Sequence, residues 1–132
     1  MEADALLSAA LSAISRAQIA ALIDLPSGMF CAVQPEPGDT ASLDLFAATV
    51  KEIYDGEFAS GLRTPLLSAT ADAPQQRMNV FVVSGDETLH VLVRMQAQPH
   101  LVLAVTCPAS CNIGMSLVRA RHLAQTCRVE GV

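Results

Sequence analysis

Cys107 and Cys111 stand four positions apart in CPASCNIGMSLVRARHL, residues 107–123, the nearest approach in this sequence to a metal or redox motif. Zinc needs four ligands in a tetrahedral set, and knuckles and redox turns place two residues between their cysteines. Here three residues intervene, one of them Pro108, and only Cys31 and Cys127 remain as further thiols. His90, His100 and His122 fall on a strand pattern, at a strand start and on a helical run, with no shared spacing. Lys51 is the sole lysine, and no phosphate loop, dinucleotide fingerprint, nucleophile elbow or His-Glu-x-x-His run occurs. No catalytic residue, cofactor-binding residue or metal ligand is therefore assigned, and a non-enzymatic role is expected. A thiol paired with histidine is the least implausible enzyme chemistry left. The simpler reading makes Cys107 a small apolar residue closing a strand. Pro108 to Asn112 then turn a corner, and Ser110 or Asn112 caps a helix.

The elements around that corner follow from periodicity. Residues 3–16 read as a helix, with Leu6, Leu7, Leu11 and Ile14 near helical spacing. QIAALID (18–24) and MFCAVQ (29–34) flank Leu25-Pro26-Ser27-Gly28 and predict a hairpin. After PEPGD, Asp39 or Thr40 caps a helix over about 40–55 that Gly56 ends. Leu43, Phe46, Ala47, Val50, Ile53 and Tyr54 form one apolar stripe on it, while Ala41, Leu45 and Ala48 add apolar surface elsewhere. A helix packed on one sheet needs only the first set, so this helix is expected to pack on two sides. Residues 57–78 read as a long loop or insertion with a short helix near 57–62.

The chain then turns to β: 78–84, a Gly85-Asp86-Glu87 turn, 88–96, a break at 97–99, and 100–107. In the middle strand Leu89, Val91, Val93 and Met95 alternate with His90, Leu92 and Arg94; the last strand is apolar on both faces, as a central strand covered by helices should be. The resulting order is α-β-β-α-β-β-β-α, an α/β sandwich with a five-stranded, mainly antiparallel sheet and helices on both faces. Residues 79–83, NVFVV, become an outer strand. A flat apolar edge without charges is an aggregation hazard unless a second copy pairs with it through a two-fold axis.

Composition points the same way. The 132 residues make one domain, 1–132. Apolar residues reach 52% and charged ones 16%, with a mean hydropathy of +0.39, yet no apolar run approaches the ~18 residues of a membrane helix. Apolar surface beyond what one small core hides is expected in an interface. Glu2 and Asp4 at an N-terminus without early bases argue against an export signal, so a cytoplasmic location with reduced thiols is expected. A net charge of −5 argues against nucleic-acid binding. Residues 1–88 carry twelve acids and four bases, whereas Arg94, Arg119, Arg121 and Arg128 face only Glu130 in the remainder. Arg119, Arg121 and Arg128 are candidates for docking an acidic partner.

One pattern is distinctive. An apolar strand followed by Asn112-Ile113-Gly114-Met115, Leu117, Val118 and Arg119 resembles the C-terminal signature of the Roadblock family, which commonly shows Ala-Asn-Leu-Gly before an amphipathic helix with Arg. Ser110-Cys111 before the Asn departs from that pattern. The family includes dynein light chains and bacterial regulators of Ras-like GTPases. The resemblance implies a non-enzymatic, cofactor-free dimer, with itself or with a paralogous Roadblock protein. Copies would pair along the first meander strand and the preceding helix into a ten-stranded sheet. It also implies an adaptor or scaffold role, with a small Ras-like GTPase or a related signalling or motility assembly as partner. The interface is expected at Leu45, Ala48, Val50, Asn79, Val80, Phe81, Val82 and Val83. Two other readings stand beside it. An acidic secretion chaperone would share the size, pI and dimeric state, though without a long final helix here. A ligand-sensing module would use a pocket between the sheet and the 40–55 helix, lined by Phe30, Cys31, Phe46 and Met95.

Overall fold

Residues 101–108, the most apolar strand of the sequence, form the centre of the sheet, and the rest of the molecule is arranged about them. A computed structural model describes residues 1–66 and 74–132. The elements are α1 (Ala3–Ala13), β1 (Ile19–Asp24), β2 (Met29–Gln34), α2 (Ala41–Asp55), α3 (Glu57–Arg63), β3 (Val80–Ser84), β4 (Thr88–Arg94), β5 (Leu101–Pro108) and α4 (Ile113–Thr126). The sheet runs β2-β1-β5-β4-β3, with every neighbouring pair antiparallel. The sequence-derived order holds, with α3 as the short helix expected near 57–62. Of the loop expected over 57–78, the part at 67–73 lies outside the described residues.

The period-2 alternation sorts the sheet into two cores. Leu89, Val91 and Val93 of β4, with Leu101, Leu103, Val105 and Cys107 of β5 and Ala20 and Leu22 of β1, face α1 and α4. On that side α1 buries Leu6, Leu7 and Ala10, and Ile14 just beyond it is buried too. The α4 helix buries Ser116, Ala120 and Ala124. Small residues every four positions let α4 lie close to the sheet, where longer side chains would hold it away. On the opposite face Ile23, Leu25, Leu92, Val102 and Ala104 pack on Ala47, Val50 and Tyr54 of α2. Each large buried side chain contributes about 1.5–3 kcal/mol by leaving water, so both layers are needed to hold a chain this short.

Local signals set the boundaries. The α1 helix stops at Ala13, three residues earlier than its periodicity predicts, and Arg16 at φ 65° turns the chain toward β1. Gly28, at φ 70°, closes the β1–β2 turn with its N–H on the Asp24 carbonyl at 2.9 Å. At α2 it is Asp39 that supplies the cap, its Oδ1 accepting from the Ala41 N–H at 2.9 Å, while the Thr40 hydroxyl takes no part. Gly85 N–H meets the Thr88 carbonyl at 2.8 Å in the expected β3–β4 turn. At the β5–α4 corner Asn112 Oδ1 accepts from the Met115 N–H at 3.0 Å, which makes Asn112 the cap.

Candidate functional site

The most unusual surface is the β3 edge. Residue pairs run from Val80 with Val93 to Ser84 with Leu89, and the Arg94 N–H donates to the Asn79 carbonyl at 2.8 Å. In an antiparallel pair, hydrogen-bonded and non-hydrogen-bonded residues alternate. Asn79, Phe81 and Val83 therefore bond inward to β4, and Val80, Val82 and Ser84 turn their N–H and C=O groups outward. Val82 and Val83 are 38% and 43% exposed, so the strand shows solvent both apolar side chains and open backbone. The other sheet edge, β2, is different. Its pairing with β1 shifts register between Leu22 and Ile23, leaving Cys31 as an extra residue, and a bulge of this kind bends an edge away from further pairing. Gln34 at its end is also tied to α1, accepting from Ser8 Oγ at 2.8 Å and donating to the Asp4 carbonyl at 3.1 Å.

A cluster of side chains anchors β3 from the α2 side. Tyr54 Oη donates to the Asn79 carbonyl at 2.9 Å, and its ring meets Phe81 edge-on at 4.8 Å between centroids. The Arg94 guanidinium lies over the Tyr54 ring, 5.1 Å from its centroid, and donates to the carbonyls of Met78 at 3.1 Å and Pro99 at 2.6 Å. Burial pushes the Tyr54 phenol well above its ordinary value despite the opposing pull of Arg94. It is a structural donor, held neutral.

The α2 helix borders this edge. Lys51 donates to the Leu25 and Pro26 carbonyls at 2.9 and 3.2 Å, while Phe46 packs on His90 of β4 at 5.1 Å between centroids. At about 100° per residue, these two contacts put Thr49 on the flank toward β3, Leu45 on the outer crest, and Ala48 between that crest and Lys51. Leu45 is 70% exposed, and Ala48 is exposed as well. Val50, expected in the interface, is instead fully buried against the sheet and has nothing to offer a partner. Its place in the apolar stripe already put it there. Phe81 and Val80 are half-buried and mainly complete the two cores. The outward-facing set is thus Leu45, Ala48, Asn79, Val82 and Val83.

The three arginines expected to dock an acidic partner are all exposed but do not converge. Arg119 borders a cleft with Arg16 at the start of α4, Arg121 lines a separate one beside β3 and β4, and Arg128 lies beyond the helix. Cys107 is fully buried and adjoins Cys111, whose Sγ lies 3.8 Å from Ser116 Oγ; burial, then the Cys111 neighbour, raises the Cys107 thiol. Among the described residues no group of three or more His, Cys, Asp or Glu could hold a metal ion, and no helix is long and apolar enough to cross a membrane. An apolar cleft of about 320 Å³ does lie between α2 and the sheet, but of its four expected lining residues only Phe46 contributes. Met95 is buried in the α1/α4 core, whereas Cys31 borders a different cleft. His90 forms part of the apolar cleft's wall, with Nδ1 2.8 Å from Thr106 Oγ1, and burial lowers its pKa.

The element order and the two-layer covering of an antiparallel sheet match the fold of Roadblock/LC7 domains. The Roadblock/LC7 domain from Streptomyces avermitilis superposes with a TM-score of 0.69 at 20% identity, over 94% of this chain and 92% of that one. The gliding protein MglB from Thermus thermophilus gives 0.70 at 18% identity, over 92% and 82% of the two chains. MglB in a tetrameric arrangement gives 0.63 at 20% identity, over the same shares. No protein-family model and no curated protein sequence matches the chain.

Proposed function

We propose that this protein is a non-enzymatic adaptor that dimerises through β3 and the adjoining flank of α2, with itself or with a paralogous Roadblock protein. The observation that carries the reading is the β3 edge, with its regular register, outward backbone groups at Val80, Val82 and Ser84, and exposed Val82 and Val83, while Leu45 is exposed on the outer crest of the neighbouring α2. Main-chain pairing there satisfies the open groups, and side-chain burial on both faces supplies the driving force. MglB, which shares the fold, is itself described in a tetrameric arrangement. The resemblance of the Asn112–Arg119 signature favours a small Ras-like GTPase or a related signalling or motility assembly as the partner of the dimer. Work inside a reducing cytoplasm fits the free thiols of Cys31, Cys107, Cys111 and Cys127.

Two measurements test this. Sedimentation equilibrium should give twice the 13.9 kDa chain mass, a strictly monomeric chain at high concentration refutes pairing with itself, and failure to gain mass with a co-expressed paralogue refutes the edge-pairing reading. Immobilised protein should then retain a Ras-like GTPase of its source organism in one nucleotide state, compared with GDP and a non-hydrolysable GTP analogue. Equal retention, or none, in the two states removes GTPase regulation and leaves the dimeric scaffold.

A further inference from the structure

At the N-terminal end of β3, where it meets the last turns of α4, there is a cleft of about 240 Å³. Arg77, Arg94 and Arg121 line it, together with Asn79, Gln96 and Gln125, and among the described residues no carboxylate does. This is an unusual concentration. The chain carries 13 acids against 8 bases, yet three of those bases border one small hollow. Among the described residues the only ion pair is Met1 with Glu130, so no carboxylate bridges these arginines.

Arg94 is the fixed element. Two backbone carbonyls and the Tyr54 ring hold its guanidinium plane, which leaves its remaining N–H donors for a ligand. Burial lowers the Arg94 pKa; Tyr54 and Asp55 counter this, but Arg77 and Arg63 lower it further, so like charges crowd here in the free protein. A cleft lined by one sign of charge concentrates the field and draws in the opposite ion. The C-terminal end of α4 opposes an anion here, and the three guanidinium charges outweigh its half charge; the Ala124 carbonyl is taken by the Gln96 N–H at 2.9 Å.

We propose that this cleft binds a small molecule bearing a multiply charged oxyanion, a phosphate group or a polycarboxylate, held by Arg77, Arg94 and Arg121. Guanidinium groups match such oxygens in pairs, and three of them exceed the needs of a single carboxylate. The amides of Asn79, Gln96 and Gln125 add neutral donors around the same space. Every residue that lines the site comes from one chain.

Isothermal titration calorimetry on the full chain, at matched ionic strength, tests it with pyrophosphate, citrate and acetate. One pyrophosphate or citrate should bind per chain, with acetate giving no saturable heat. Tighter pyrophosphate binding assigns the site to phosphate compounds, and tighter citrate binding assigns it to polycarboxylates. Arg77→Gln and Arg121→Gln, both at exposed positions, should each weaken binding about tenfold or more. Arg119→Gln, which does not line the cleft, should leave it unchanged. Unliganded melting temperatures equal to wild type verify that the variants fold. Absence of saturable heat with both polyanions, or equal affinity in the Arg77 and Arg121 variants, overturns the proposal.

Discussion

If β3 and α2 form a two-fold interface, charging Leu45 should break it, and the size of the effect follows from the structure. Full burial of a leucine side chain is worth about 1.5–3 kcal/mol, and Leu45 begins 70% exposed, so docking gains about 1–2 kcal/mol from it in each copy. The two-fold axis doubles this to about 2–4 kcal/mol per dimer, ~30- to 1000-fold in dissociation constant. Leu45→Glu removes that gain and adds repulsion between the copies, while the folded chain loses almost nothing because the side chain barely packs. Val82→Pro probes the backbone separately. It deletes an outward N–H without touching the β3–β4 ladder, and losing two such bonds of ~1 kcal/mol each weakens the dimer by about 30-fold. The assay is sedimentation equilibrium over a concentration series, with circular dichroism to verify folding. Val118→Glu, 62% exposed on α4, is the control and should leave the mass unchanged. Folded Leu45→Glu and Val82→Pro variants that stay dimeric refute the reasoning, as does a Val118→Glu variant that falls apart.

Three further outcomes follow from contacts within one chain. Tyr54→Phe removes the bond to the Asn79 carbonyl, which keeps its Arg94 N–H; a loss of about 1 kcal/mol is expected in urea denaturation. Asn112→Ala deletes the α4 cap and should cost about 0.5–2 kcal/mol in the same measurement, with Asn112→Ser recovering most of it. His90 has a folded pKa below its ordinary 6.5, so below that pH the unfolded chain binds the extra proton first. Stability contributed by neutral His90 is complete above pH 6.5 and declines as pH falls toward the folded pKa. His90→Gln should flatten the stability profile below pH 6.5, and an unchanged slope would show that other groups set it.

Periodicity carried the element order because each signal is local: alternation in residues 88–94, the helical stripe from Leu43 to Tyr54, the Asn112 cap. The open β3 edge was legible for the same reason, since laying a meander in order leaves its first strand outermost. Val50 shows the limit of grouping residues by helix alone. Its own angle, shared with Ala47 and Tyr54, puts it against the sheet, whereas Leu45 lies more than a third of a turn away. The early end of α1 depended on one left-handed residue, Arg16, which no propensity anticipates. Arg119 and Arg121 look adjacent in sequence, yet two residues along a helix put them on opposite flanks. Conversely Arg77, Arg94 and Arg121 come from three separate segments, and only the sheet register and the placement of α4 bring them to one cleft. The charge asymmetry of the C-terminal part hinted at a basic surface but could not say which arginines meet.

The central position of β5 has a consequence for how the chain is made. Ile19 pairs with Thr106, so β1 waits for the last strand before it gains its inner neighbour. Until then the β1–β2 hairpin and α2 have no sheet centre to bury Ile23, Leu25 and Val50 against. Pairing partners this distant in sequence slow folding and prolong the life of sticky, half-finished chains. During synthesis the nascent protein must therefore carry its apolar first half unprotected until residues 101–108 emerge. Truncation before that strand should yield a client for chaperones and proteases, with no smaller folded unit left behind.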